Sequence, residues 1–82
     1  MTIIVLPEVT AHDLPAFQRL MPGFNYAEQR RRWETELPEA VPGATFRWVP
    51  VDPEGFKAFA EGWKMDAAKL ADYALHLSHQ EA

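Results

Sequence analysis

Three ionisable side chains near the end of the chain have the spacing of a metal site. Asp72, His76 and His79 follow one another at intervals of four and three residues, which places them on one side of a helix. Imidazole nitrogens and a carboxylate can bind zinc or nickel. The alternative is a solvated helix end, where histidine suits the negative end of the helix dipole. A small metal-dependent protein or enzyme is therefore one hypothesis, although we expect neither a metal nor a cofactor.

The other reactive groups form no catalytic motif. Ser78 is the only serine, and no histidine–aspartate pair is placed to activate its hydroxyl. The absence of cysteine excludes thiolate nucleophiles, disulfides and cysteine-bound zinc. The glycines stand singly, at Gly23, Gly43, Gly55 and Gly62, so no glycine-rich loop can hold a phosphate. The inventory predicts a protein that is not an enzyme.

The run of three arginines at 30–32 is the one basic segment. Such a run could contact phosphates, so a nucleic-acid-associated regulator is an alternative hypothesis. However, Arg30 with Glu34 and Arg32 with Glu36 have the spacing of ion pairs along a helix. The formal net charge of −4 also disfavours binding to nucleic acid or to anionic membranes. We therefore expect a solvated helix face here.

On the same predicted helix, Tyr26, Arg30 and Trp33 lie on one face together with Leu37. Tyrosine, tryptophan and arginine are the favoured anchors of protein interfaces, and Arg30 between two rings could form an exposed cation–π sandwich for a partner. Alternatively, the stem of Arg30 lies across half-buried rings at the rim of the core. Both interpretations stay open from the sequence.

The hydrophobic pattern predicts a single α+β domain with the order β-α-α-β-α, a two-stranded sheet covered by helices. In chain order, the predicted elements are a strand over 2–6, helices over 13–21 and 26–37, a strand over 44–50 and a helix over 53–79. Pro7 should stop the first strand, and Pro38 the second helix. Asp13 and Asn25 are the expected N-caps of the first two helices.

The predicted sheet would have two open edges. Phe46 and Trp48 should point to one face of the second strand, while Pro50, which has no donor, belongs on an edge or at the end of pairing. A two-stranded sheet is marginal by itself. Either the helices cover it or a second copy of the chain extends it.

The last helix has the clearest start signal. Asp52, Pro53 and Glu54 provide an N-cap, a first-turn proline and an acid at the positive helix end. Its apolar stripe is Phe56, Ala60, Trp63, Ala67, Leu70, Ala71, Ala74 and Leu77. Trp63 is expected to be buried at the centre of this stripe. Gly62 also lies within the predicted helix, either to allow close packing or because the helix bends there.

The predicted length of this helix suggests a partner surface. Residues 53–79 would extend about 40 Å at 1.5 Å per residue, whereas a domain of this size is about 30 Å across. Either the helix bends near Gly62, or its end extends beyond the body and exposes Leu70, Tyr73 and Leu77. An exposed apolar end would need a partner, and the simplest is a second copy related by a two-fold axis.

The segment that follows the first strand, Thr10-Ala11-His12-Asp13-Leu14-Pro15-Ala16-Phe17, resembles the opening of the acetyl-CoA-dependent N-acetyltransferase family. That family also begins β-α-α-β, so the resemblance covers the first half of the chain. Its glycine-rich loop for the pyrophosphate of acetyl-CoA has no counterpart here, and one long helix replaces the strands that would follow. The acetyltransferase activity is therefore not expected.

These features predict a small protein-binding module that inhibits or regulates a partner protein or complex by occupying its surface, as accessory proteins of phages and mobile elements do. The candidate partner-binding residues are Tyr26, Arg30, Trp33, Leu70, Tyr73 and Leu77. The expected partner is another protein, with a homodimer possible. The apolar run at 3–6 is too short for a membrane span or signal peptide, so the expected location is cytoplasmic.

Overall fold

The computed structural model describes residues 2–80. Its elements are β1 (Ile3–Glu8), α1 (Leu14–Leu20), α2 (Tyr26–Ala40), β2 (Thr45–Pro50), α3 (Pro53–Phe59) and α4 (Ala67–Gln80). The α+β class and the two-stranded sheet packed against helices are confirmed. The order is β-α-α-β-α-α, because two helices stand where the sequence predicts one.

The two strands run parallel, an orientation that the sequence left open. Ile3 pairs with Thr45, and the register continues to Glu8 opposite Pro50. The helices α1 and α2 form the crossover between them, as a parallel pair requires. Helix α4 packs against both strands, and more extensively against β1. The sheet is thus covered by a helix from the far end of the chain.

The strand β1 does not stop at Pro7, contrary to the prediction. The carbonyls of Thr2 and Glu8 accept hydrogen bonds from the amides of Thr45 and Val51, at the two ends of β2. Along a strand, the backbone N–H and C=O groups of successive residues point alternately towards and away from the neighbouring strand. Pro7 therefore faces away from β2, where it needs no donor. Its carbonyl accepts a hydrogen bond of 2.8 Å from the hydroxyl of Tyr26 in α2.

Two details of the first helices also differ from the prediction. Pro38 does not end α2, which continues to Ala40. A proline in the last turn removes a single backbone hydrogen bond, so the turn can still form. Asp13 occupies the N-cap position of α1 without a side-chain cap bond, whereas Asn25 caps α2 by accepting from the amide of Glu28 at 3.1 Å.

The core lies where α1, α3 and α4 meet the sheet. Its buried side chains are Val9, Phe17, Met21, Tyr26, Val49, Val51, Phe56, Ala60, Leu70, Tyr73 and Ala74. The rings of Phe17 and Phe56 are fully buried and their centroids lie 5.9 Å apart. Burial of such rings contributes the largest hydrophobic terms in a domain this small.

The predicted helix over 53–79 is broken between α3 and α4, and the prediction of a continuous helix was wrong. Gly62 has a φ of +82°, a left-handed conformation that suits glycine and ends helices. Asp66 then caps α4, because its carboxylate accepts from the amide of Lys69 at 2.9 Å. Trp63 is consequently 69% exposed instead of buried.

The break keeps the molecule within 35 × 29 × 23 Å. Of the two alternatives, a bend near Gly62 and an end that extends beyond the body, the structure shows the first, because α4 folds back onto the sheet. Between residues 2 and 80, no helix is long and apolar enough to cross a membrane.

Candidate protein-binding surface

Trp63 is the most exposed large hydrophobic side chain between Thr2 and Gln80. It projects from the segment that joins α3 to α4, one residue after the left-handed Gly62. The ammonium of Lys69 lies 4.5 Å from the centroid of the Trp63 ring and 5.0 Å from that of Phe59. The contact with Lys69 thus restricts the orientations of the exposed indole.

The aromatic contacts continue from Phe59 into α4. The Phe59 ring centroid lies 5.3 Å from that of Tyr73 and 5.1 Å from that of His76. Because Tyr73 is buried, these rings connect the exposed indole to the core. We call Phe59, Trp63, Lys69 and His76 the Trp63 surface.

A shallow, largely apolar cleft of about 430 Å³ lies along α3 and the same segment. It is lined by Glu54, Lys57, Ala58, Glu61, Gly62 and Met65. The half-buried Met65 packs against the core from this cleft, and a methionine can adapt its side chain to irregular apolar surfaces. The Trp63 surface therefore has an apolar depression beside it, with charged residues at the rim.

A hydrogen bond between Tyr73 and Asp52 fixes α4 against the start of α3. The tyrosine hydroxyl donates to the Asp52 carboxylate at 2.7 Å, and the second carboxylate oxygen accepts from the amide of Gly55 at 2.6 Å. Burial and, to a smaller extent, the Asp52 carboxylate together raise the pKa of Tyr73 to about 12. In return, the hydrogen bond from Tyr73 lowers the pKa of Asp52.

Gly55 is required beside this pair. A Cβ built at Gly55 would overlap the Tyr73 hydroxyl and approach both carboxylate oxygens of Asp52 within 2.8 Å. No side chain fits there, so the Asp52 cap and the contact between α3 and α4 depend on the same glycine.

The structure does not place Arg30 between the rings of Tyr26 and Trp33, which was one of the two interpretations. Its guanidinium lies 4.1 Å from the ring centroid of Trp48 in β2, while Trp33 is half-buried against the core. Arg30 also pairs with Glu34 at 2.9 Å and donates to the hydroxyl of Tyr26 at 3.4 Å. Arg30 is thus held at the rim of the core by three neighbours.

The other predicted partner-binding residues lie mostly inside. Leu70 and Tyr73 are core residues, 0% and 5% exposed, and Leu77 is half-buried against the core. In this part of α4, Leu70 and Tyr73 therefore belong to the core of the folded chain and not to an exposed surface. A partner role for these six residues stays a prediction, and for Leu70 and Tyr73 it would require movement of α4.

Both ion pairs expected along α2 are present. Arg30 pairs with Glu34, and Arg32 with Glu36 at 3.8 Å. The second pair is well exposed, so its contribution to stability is small. Two of the three arginines thus have acidic neighbours on their own helix.

Two of the α4 residues considered for chemistry, His76 and Ser78, have other contacts. Across residues 2–80, no cluster of three or more histidine or acidic side chains is placed to hold a metal ion. The His76 ring packs on Phe59, and its Nε2 lies 3.1 Å from the side-chain Nε2 of Gln80. The buried Ser78 hydroxyl donates to the carbonyl of Leu75 at 2.7 Å.

Comparisons with protein-family models, with curated proteins and with solved structures found no match to this chain. The function of the surface is therefore inferred from its own residues.

The Trp63 surface was missed from the sequence because helical periodicity continues through the break. Two local signals could have revealed it. Gly62 is a poor helix former within the predicted helix, and Asp66 with Lys69 three residues later has the spacing of an N-cap and its N3 position. Together they mark the end of one helix and the start of another.

Proposed function

We propose that the protein is a non-enzymatic binding module that occupies a surface of a partner protein and so inhibits or regulates it. The observation that carries the proposal is Trp63, 69% exposed on an ordered segment. A folded domain gains no stability from an indole in water, whereas tryptophan is among the commonest energetic anchors of protein interfaces.

The surroundings of Trp63 support the same proposal. Lys69 contacts the indole and also lies over the Phe59 ring, and its contact with Trp63 reduces the number of orientations that the indole can adopt. Less conformational entropy is then lost on binding. The cleft beside Gly62 and Met65 offers space for an apolar side chain of the partner, with charged residues around it.

The test compares two variants that each remove an exposed hydrophobic side chain. Trp63→Ala alters the Trp63 surface, and Ile3→Ala alters β1, where Ile3 is 57% exposed. Tagged wild type and both variants are used to capture proteins from the native host, and bound proteins are quantified by mass spectrometry. The affinity for each captured protein is then measured with purified components by calorimetry.

We expect a captured partner to bind Trp63→Ala at least about 30-fold more weakly than wild type, the effect of losing roughly 2 kcal/mol at an interface anchor. Ile3→Ala should bind like wild type. Both variants should retain the wild-type melting temperature within about 2 °C, because neither removes a buried side chain. Equal binding by Trp63→Ala and wild type, or no specific partner for wild type, would refute the proposal.

A further inference from the structure

The segment between α3 and α4 keeps the helical repeat of its neighbours although it is not helical. Apolar residues recur at alternating intervals of four and three from α3 through the break into α4. They are Phe56, Ala60, Trp63, Ala67, Leu70, Ala74 and Leu77. This alternation is the repeat of helices that pack along a seam. A loop does not require this repeat of apolar residues. Its presence across residues 60–66 makes the sequence compatible with a continuous helix.

A continuous helix cannot be accommodated within one copy. Residues 53–80 would extend about 42 Å, but the longest dimension of the folded chain is 35 Å. Straightening the segment would also carry α4 away from β1, against which it packs. The core face of α4, including the fully buried Leu70, would then lie in water.

The break depends on few interactions of its own. Gly62 adopts its left-handed φ in open space, since a Cβ added there would meet no atom within 4 Å. Glu61, Trp63 and Lys64 are exposed. Ala60 is buried directly after α3, and the half-buried Met65 is the other residue of this segment that packs against the core. The interactions that conversion of this segment to helix would disturb are the packing of Met65, the cap from Asp66 to Lys69 and the stacking of Lys69 on Trp63.

We propose that residues 60–66 form a hinge and that α4 is exchanged between two copies of this chain when the hinge becomes helical. In the exchanged dimer, α4 of each copy packs on the sheet of the other. The hydrogen bond from Tyr73 to Asp52 forms between copies in place of within one.

The occupant must be a second copy, because only the same chain offers the surface that α4 already fits. The buried contacts of α4 with the sheet are remade between the two copies, across the two-fold axis. Trp63 then stands in the seam of two straight helices near the axis, where the second copy covers it.

The exchange goes beyond the proposed function and does not depend on it. The monomer presents Trp63, whereas the exchanged dimer covers it. Conversion between the two would therefore switch the Trp63 surface between an available and an unavailable state. Dimer formation is measured without any partner, so failure of the exchange and failure of partner binding are separate results.

The experiment uses Gly62→Ala with Gly23→Ala as its matched control. Both glycines have positive φ, +82° and +86°, and neither Cβ would meet an atom within 4 Å. Both variants strain the monomer to a similar degree. However, alanine at position 62 also favours the continuous helix, whereas Pro22 prevents a continuous helix at position 23.

Wild type and variants are refolded at high protein concentration, and molar mass is measured by light scattering after size-exclusion chromatography. Each exchanged dimer contains two hinges, so we expect the dimer dissociation constant of Gly62→Ala to be at least about 30-fold below that of wild type. Gly23→Ala should remain at the wild-type value. Equal dissociation constants for all three proteins would overturn the proposal.

A second measurement distinguishes exchange from side-by-side association. Two Gly62→Ala preparations with tags of different size should form mixed dimers when refolded together, but not within hours when mixed already folded, since exchange requires α4 to detach. Mixed dimers that form rapidly from folded protein would overturn the proposal. If Gly62→Ala does not fold, Asp66→Ala replaces it, because it weakens the start of α4 without straining the monomer.

Discussion

The chain reverses at three glycines with positive φ, and two of these turns differ from the third. Gly23 and Gly43 have φ values of +86° and +80°, and each directly follows a proline. Gly62 has the same backbone conformation, with a φ of +82°, but follows Glu61.

A proline before the glycine removes a backbone donor and clashes with the preceding helical turn, so those two turns have no helical alternative. Gly62 disfavours a helix by only about 1 kcal/mol relative to alanine. At the third turn, the packing of α4 on the sheet decides the conformation. A turn imposed by local covalent structure is predictable from neighbours in sequence, whereas a turn imposed by tertiary contacts is not.

The largest effect that tests this comparison concerns the anchor on the α3 side of the hinge. Phe56 is fully buried against Phe17, so Phe56→Ala should lower the free energy of unfolding by about 3–5 kcal/mol. Chemical denaturation monitored by circular dichroism measures it. A loss below about 1 kcal/mol would mean that α3 does not anchor the hinge as described.

A smaller effect concerns the bond that holds α4 to α3. Tyr73→Phe removes the hydrogen bond to Asp52 and should lower the free energy of unfolding by about 1–2 kcal/mol at neutral pH. The loss is no larger because solvent reaches the Asp52 carboxylate. The folded state lowers the pKa of Asp52, so this stabilisation is present above the unfolded-state pKa near 4 and is lost as the pH falls below it.

The folded state raises the pKa of Tyr73 to about 12. Stability is therefore retained below pH 10, the ordinary tyrosine value, and falls between pH 10 and 12 as the unfolded chain loses this proton first. In thermal melts across this pH range, Tyr73→Phe should flatten the acidic decline and the alkaline decline of the melting temperature. Tyr26→Phe, which loses a bond to the neutral carbonyl of Pro7, should keep the wild-type acidic decline. Parallel pH profiles for wild type and Tyr73→Phe would contradict the assignment.

The smallest effect compares two helix caps that follow the two kinds of turn. Asn25 caps α2 after Pro22-Gly23, and Asp66 caps α4 after Gly62. Asn25→Ala and Asp66→Ala should each cost about 1 kcal/mol in urea denaturation at low protein concentration. At high concentration, only Asp66→Ala should also increase the dimer fraction. An equal dimer increase in both variants would show that the proline makes no difference.

Much of the fold followed from local patterns. The starts of α2 and α3 were predicted because Asn25 and Asp52 accept hydrogen bonds from amides three residues ahead, an interaction within one short segment. The strand over 44–50 was predicted because the alternation of side chains along β2 also depends on neighbours in sequence. The direction of the sheet depended on contacts across the chain, which no local pattern contains.

The candidate site was the least predictable part. The 3.6-residue repeat placed Trp63 in the core because periodicity describes which face a residue shares, not whether the helix persists. Arg30 was predicted among its helix neighbours, but its ring partner, Trp48, is 18 residues away in β2. Contacts of this kind depend on the crossover geometry, so they became visible only in the folded chain.

The prolines at the ends of the strands have a consequence for behaviour at high concentration. Pro7 and, by the same alternation from the amides of Thr45 and Val51, Pro50 direct their ring nitrogens towards the outer edges of the sheet. A strand added at either edge would meet a missing donor there, and on the β1 side also the hydroxyl of Tyr26 already bound to Pro7. Growth of the sheet into amyloid-like fibrils is thus opposed at both edges, and concentrated solutions should resist this form of precipitation.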